Sequence, residues 1–320
     1  MTQLTFSQSS LFLPYRDGQL HLRQLLPSAP NFARTPILML HGAMSNGRVF
    51  YSQSGRGLAC FLAKAGFVVY VLDSAGRGQS LPKISRSMNL GQGEVIREQL
   101  PLVQQYILDL HKEASEREGK MPPRQVHWCA HSWGGVLMAS ALARYEALQH
   151  SVQSLVTFGS KRTIKVKSFK KWLMVDLFWN RLAPSMAIGQ GYLAATKFGF
   201  GMDNETKSSL NQCIDWVQSE DWRDHDDGFD YAKAAKLANW PPAWFIAGQN
   251  DTVLGHPEDV ADMIGECGFK HIKYTVLSKA NGFKHDYGHT DMLTHLDAND
   301  DHFPQVRDWY LGFELSVLSD

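Results

Sequence analysis

Short apolar runs alternate with longer amphipathic stretches over most of the chain. The runs are "PILMLH" (36–41), "FVVYVLD" (67–73), "QVHWCAHS" (125–132), "SLVTFGS" (154–160), "AWFIAG" (243–248) and "IKYTVLS" (272–278). Such runs read as strands covered on both faces. The spacing between them predicts helices over 52–64, 101–117, 134–148, 257–266 and 304–314. Pro101 is expected to open its helix, where a missing N–H costs nothing. Residues 4–25 carry β-type residues around Asp17-Gly18, a dipeptide suited to a tight hairpin turn, so an antiparallel start is predicted. Strands that alternate with helices imply an α/β fold with a mostly parallel, doubly wound sheet.

One interval breaks the rhythm. Residues 161–237 hold no convincing strand but contain Trp172, Trp179, Trp216 and Trp222, and the alternation resumes at Trp240-Pro241-Pro242. The expected organisation is a core built from 1–160 and 238–320, with 161–237 as an inserted, mainly helical cap or lid.

Composition narrows the class. At 320 residues the chain has ample material for a core, and its 32 Lys and Arg balance its 32 Asp and Glu. That balance argues against a dedicated nucleic-acid surface. Cys60, Cys129, Cys213 and Cys267 are widely spaced and form no Cys-x-x-Cys pair, so neither a zinc ribbon nor a disulfide scaffold is indicated. The N-terminal stretch lacks a basic region followed by a long apolar one, and no run of about 18 apolar residues occurs. A soluble, cytoplasmic protein is the expectation.

The chemistry gathers at strand ends. In "HWCAHSWGG" (127–135), Ser132 follows an apolar run, with Ala130 two positions before it and Gly134 two after. A nucleophile on a strained strand-to-helix turn needs small residues at those two positions. A serine that merely caps the following helix is the plain alternative. "HGAMSNG" (41–47) follows the first central strand and could present backbone N–H groups to an oxyanion. "GQNDTV" (248–253) sets Asp251 at a strand's carboxyl end, where catalytic groups collect in open parallel sheets, and "DYGHTDML" (286–293) sets His289 in a loop after the last predicted strand.

The order Ser132, Asp251, His289, with "HGA" upstream, resembles the α/β-hydrolase family over nearly the whole chain. "DSAGRGQS" (73–80) is similar to the Asp-x-x-Gly-x-Gly-x-Ser loop of these enzymes, with Arg77 expected to brace it. "HGAMSN", "REQLP", "GQNDTVLGHPEDV" and "YGHTDML" are similar in style to the acid-lipase-like branch. Ala130 departs from the family's usual glycine. The resemblance implies an α/β-hydrolase fold with a cap and a serine hydrolase or esterase activity. Its catalytic residues would be Ser132 as nucleophile, His289 as base and Asp251 as the acid that orients it. The backbone N–H groups of Ala43 and Trp133 would form the oxyanion hole. Asp291, Asp286 and Asp73 stay open as alternative acids.

No cofactor and no metal is expected. His285, His289, His295 and His302 lie among Asp286, Asp291, Asp297, Asp300 and Asp301 without a recognised ligand spacing, and a solvated loop is the reading adopted. His131 reads as a hydrogen-bonded neighbour and Cys129 as a core residue. The expected substrate is a small-molecule carboxylic ester with an apolar acyl group, roofed by the tryptophan-rich insertion. An acyltransferase using the same triad, or a ligand-binding protein with little turnover, are the alternatives. Six Lys or Arg residues between 161 and 171 precede an apolar stretch, so a weak membrane-surface contact through 161–179 is the remaining partner expectation.

Overall fold

The apolar runs predicted as strands lie side by side in one eight-stranded sheet. The computed structural model describes residues 6–199, 201–219 and 221–317. Strands β1 (Phe6–Tyr15) and β2 (Gly18–Pro27) form the hairpin, with Tyr15 opposite Gly18. β3 (Ile37–Leu40), β4 (Val69–Asp73), β5 (Val126–His131) and β6 (Val152–Phe158) follow. The two-residue strands β7 (Tyr192–Leu193) and β8 (Glu205–Thr206) pair apart from the main sheet. β9 (Ala243–Gly248) and β10 (Ile272–Leu277) complete it. The order is β1-β2-β4-β3-β5-β6-β9-β10, with β2 antiparallel to β4 and every pair from β4 onward parallel.

Alternation along each strand feeds two apolar layers. In β5, Val126, Trp128 and Ala130 join one layer while Cys129 joins the other, and all six strand residues are buried. The chain leaves β3 for β4 on one side and returns to β5 on the other. That reversal opens a crevice at the carboxyl ends of β3 and β5, where open α/β sheets place their ligands.

Three helix predictions need correction. The first helix is Leu58–Lys64, starting later than 52, because Ser52 N–H bonds the Arg56 carbonyl in a turn and Gly57 enters the helix at φ 102°. The stretch 134–148 is two helices, Trp133–Arg144 and Glu146–Ser151, separated by the extended Tyr145. Arg144, bound to Asp224 and Asp227 and lying over Phe229, anchors the end of the first. Pro101 does not open its helix. Helical turns begin at Gln92, where the Glu94 carboxylate accepts the Gly91 N–H, and pass through a wide π turn at Val95–Gln99 before Leu100–Arg117. A widened turn accommodates a residue that can donate no backbone hydrogen bond. The last two predicted helices appear as Pro257–Cys267 and Phe303–Val317.

Between β6 and β9 the chain forms a cap-like insertion. Its main helical pieces are Trp172–Leu182, Ala183–Gln190, Lys207–Gln218 and Tyr231–Leu237. Ala183, Ala187, Leu193, Ala195 and Leu210 make a small apolar cluster of their own. Charged groups tie it down: Arg77, expected to brace its own loop, directs its side chain to Glu205 of the insertion, and Arg97 pairs with Asp224. All four cysteines are unpaired and buried. Among the described residues no helix is long and apolar enough to cross a membrane.

Candidate active site

Ser132 occupies the single residue between β5 and helix Trp133–Arg144, with φ 54° and ψ −126°. A side chain in that region is strained by about 1–3 kcal/mol and persists only where its surroundings hold it. The Ser132 N–H is fixed at 2.8 Å from the Phe158 carbonyl. Its side chain makes no capping bond, so the helix-capping alternative does not apply. The hydroxyl oxygen instead lies 2.9 Å from His289 Nε2.

His289 Nδ1 donates to Asp251 Oδ2 at 2.5 Å. The other acids left open by the sequence have different partners. Asp291 accepts the Gly288 N–H, Asp286 accepts the Lys279 N–H, and Asp73 accepts the Gly47 and Gln79 N–H groups while facing His21. Burial pushes the Asp251 carboxyl up, but the hydrogen bond and charge of His289, the Gly255 N–H and the Lys161 ammonium together hold it below the usual carboxylate range. Asp251 is therefore ionised near neutrality.

Close backbone approaches shape this corner. A Cβ on Gly159, whose φ is 61°, would stand 3.0 Å from His289 Nδ1. A Cβ on Gly42 would stand 2.8 Å from the Ser132 Cβ, so the Gly42-Ala43 backbone lies against the serine. The next N–H, of Met44, is spent on Glu205 Oε2 at 3.2 Å. No hydrogen bond to the Ala43 N–H is found among the described residues. The Trp133 N–H sits at the first helical position, which lacks an intrahelical acceptor and carries the positive end of the helix dipole.

His131 is no second base. Burial presses its imidazole down to about 3, and its Nε2 donates to the His289 carbonyl at 3.0 Å. Cys129 is a core residue whose thiol burial pushes up to about 12. The sequence did not single out Gly159 or Lys161, although the first closes and the second follows a predicted strand, 154–160, at the same edge as Asp251. Lys161 is buried, with its ammonium 5.6 Å from the Trp133 ring; desolvation lowers its pKa, opposed by the charges of Cys213, Asp251 and Asp259.

A cavity of about 40 Å³ borders Ala43 and Trp133. Leu40, Leu90, Val95 and Leu137 supply apolar wall, and the insertion contributes Glu205, Thr206, Ser209 and Cys213 rather than its tryptophans. Trp216 and Trp222 are buried and pack on Tyr231, with Trp216 reaching the back of the Trp133 ring. Farther along the His289 loop the histidine-rich interval divides. His302 is buried and donates to the Met292 carbonyl, while His285, His295 and Asp297 converge.

A doubly wound sheet with an inserted cap, a strained serine at the switch point and a histidine-carboxylate pair facing it define the class. The chain belongs to the alpha/beta hydrolase fold family, which it matches over residues 35–283. No curated protein sequence matches it significantly. Among solved structures it is similar to a soluble variant of monoglyceride lipase from Saccharomyces cerevisiae in complex with a substrate analog, at 11% identity and TM-score 0.68 over 97% of each chain. It is also similar to the enol-lactonase from Burkholderia xenovorans LB400, at 13% identity and TM-score 0.56 over 94% of this chain and 100% of that one. A carboxylesterase from Bacillus subtilis gives 14% identity and TM-score 0.54 over 97% and 92%. These likenesses are of fold, and family membership is consistent with hydrolytic chemistry.

Proposed function

We propose that the protein is a serine hydrolase that cleaves carboxylic esters through an acyl-enzyme on Ser132. The observation that carries this reading is the unbroken chain from Ser132 Oγ to His289 at 2.9 Å and on to Asp251 at 2.5 Å, with the serine held at positive φ. A serine hydroxyl is a weak nucleophile, so His289 Nε2 takes its proton as Oγ attacks the ester carbonyl. Asp251 keeps the Nδ1 proton in place and stabilises the imidazolium. The Ala43 and Trp133 N–H groups receive the oxyanion. His289 then protonates the departing alcohol, and water repeats the sequence in reverse to release the acid. The apolar wall that Leu40, Leu90, Val95 and Leu137 give the cavity beside the oxyanion donors supports an apolar acyl group.

The test is labelling by a fluorophosphonate together with turnover of an ester panel of increasing acyl length. Wild type is expected to label and S132A not. S132A and H289A each lose roughly 10⁴-fold or more in turnover, the double variant loses little beyond either, and D251N loses on the order of 10³- to 10⁴-fold. Additive losses, or an active S132A, would overturn the shared mechanism.

We also infer a weak membrane-surface contact through 161–179, now assigned chiefly to apolar side chains. Phe169 is 77% and Trp172 51% exposed, with Leu173 beside them. Several of the cations expected to serve this contact are engaged elsewhere: Arg162 is buried against Glu266, Lys165 pairs with Asp262 and Lys171 with Asp176.

A further inference from the structure

We propose that His285, His295 and Asp297 form a site for a divalent transition metal of the zinc class, which staples the two ends of the loop that carries His289. One donor atom from each residue lies within 4.8 Å of the other two. His285 Nε2 is 2.6 Å from Asp297 Oδ2, His295 Nδ1 is 3.9 Å from the same oxygen, and the two imidazole centroids are 4.4 Å apart. A tetrahedral ion with bonds of about 2.0–2.1 Å sets its ligand atoms about 3.3 Å from one another. The first contact opens and the second closes, each by less than about an ångström, and the two imidazole nitrogens, within 4.8 Å of each other, close by at most about 1.5 Å, through side chains that are partly exposed.

The donor set selects the ion. Two imidazole nitrogens and one carboxylate suit zinc and its first-row neighbours, whereas calcium and magnesium favour sets made of oxygen alone. The Asp297 N–H donates to His295 Nδ1 at 3.2 Å, so that nitrogen is unprotonated, and this weak backbone bond must give way for Nδ1 to bind the ion. Three protein atoms leave a fourth position for water.

Position gives the site its consequence. His289 stands between His285 and His295 in sequence, and the Tyr287 ring packs edge-on against both outer imidazoles. Joining residue 285 to residues 295 and 297 closes the segment into a ring and restricts the backbone that presents the His289 imidazole to Ser132.

The experiment uses chelator-stripped whole protein, titrated with zinc chloride by calorimetry, with calcium chloride as the contrast. One zinc per chain is expected, with affinity reduced at least about tenfold in H295Q and in D297N. Cobalt(II) should give the visible absorption of a four-coordinate site in wild type and lose it in both variants. Backbone amides of 285–297 should exchange more slowly with zinc in wild type only, and ester turnover of the stripped variants should equal that of stripped wild type. D297N is nearly isosteric and keeps the comparison valid should H295Q fail to fold. Absence of saturable zinc binding, equal affinity in wild type and D297N, or a preference for calcium would overturn the proposal and leave His285 and Asp297 as an ion pair only.

Discussion

Acidification should unfold this protein through its buried histidines. His111, His127, His131 and His302 are each at most 3% exposed. Burial lowers their pKa values to about 4, about 3, about 3 and about 4. Each ring uses one nitrogen, on the Phe32 carbonyl, the Ser154 hydroxyl, the His289 carbonyl and the Met292 carbonyl respectively. The other nitrogen has no partner, so a second proton would be a buried cation with nothing to accept it. In the unfolded chain these imidazoles titrate near 6.5. Above that value both states are neutral and the histidines exert no pull. Below it the unfolded state binds protons that the folded state refuses, and stability falls with pH. At pH 5 each group costs about 1.5 pH units at about 1.4 kcal/mol per unit, or about 2 kcal/mol, and four together about 8 kcal/mol. That compares with a total stability of about 5–15 kcal/mol for a typical domain. The result at pH 5 barely depends on the folded values, since all lie below the pH. Asp73 and Asp251, whose carboxyls are held below the ordinary range, lose their contribution only as pH falls past about 4, under this window. Denaturant titrations from pH 7.5 to 4.5 should show a limiting slope of at least about four protons, about 5 kcal/mol per pH unit, since burial lowers the His41 pKa in the same direction. H111Q keeps a donor for the Phe32 carbonyl and should flatten the slope by about one proton. A wild-type slope under one proton, or an unchanged slope in H111Q, would mean that these imidazoles protonate inside the fold and would refute the reasoning.

Two further outcomes follow from contacts near the site. In G42A the new methyl would meet the Ser132 Cβ at 2.8 Å and Oγ at 3.3 Å, displacing the nucleophile, so kcat should fall about 10²-fold with KM little changed; a wild-type kcat in steady-state ester assays would show that the loop yields instead. Replacing Phe169 and Trp172 together by serine should weaken sedimentation with lipid vesicles about tenfold or more, while turnover of soluble short-chain esters stays level; unchanged sedimentation would remove the membrane contact.

Much of this arrangement was legible along the chain because local rules suffice for it. Short continuous apolar runs, and β-type residues around the Asp17-Gly18 turn, marked the strands of the main sheet, and the small residues around Ser132 marked the elbow, since a strained turn excludes larger ones whatever the distant context. Other features needed the folded chain. Four aspartates were eligible partners for His289. The choice of Asp251, 38 residues away, came from the carboxyl edge where β9 ends, while the competing carboxylates were taken by nearby N–H groups. That the Met44 N–H, next along the loop from Ala43, is held by Glu205 far along the chain in the insertion was likewise not readable from the sequence. Pro101 looked like a helix start because a sequence shows its missing donor but not the π turn that accommodates it. His285, His295 and Asp297 carry no recognised ligand spacing, and a loop folding back on itself brings them together. Periodicity reports which side of an element faces the core; which residues from distant elements then meet is decided by how the elements pack.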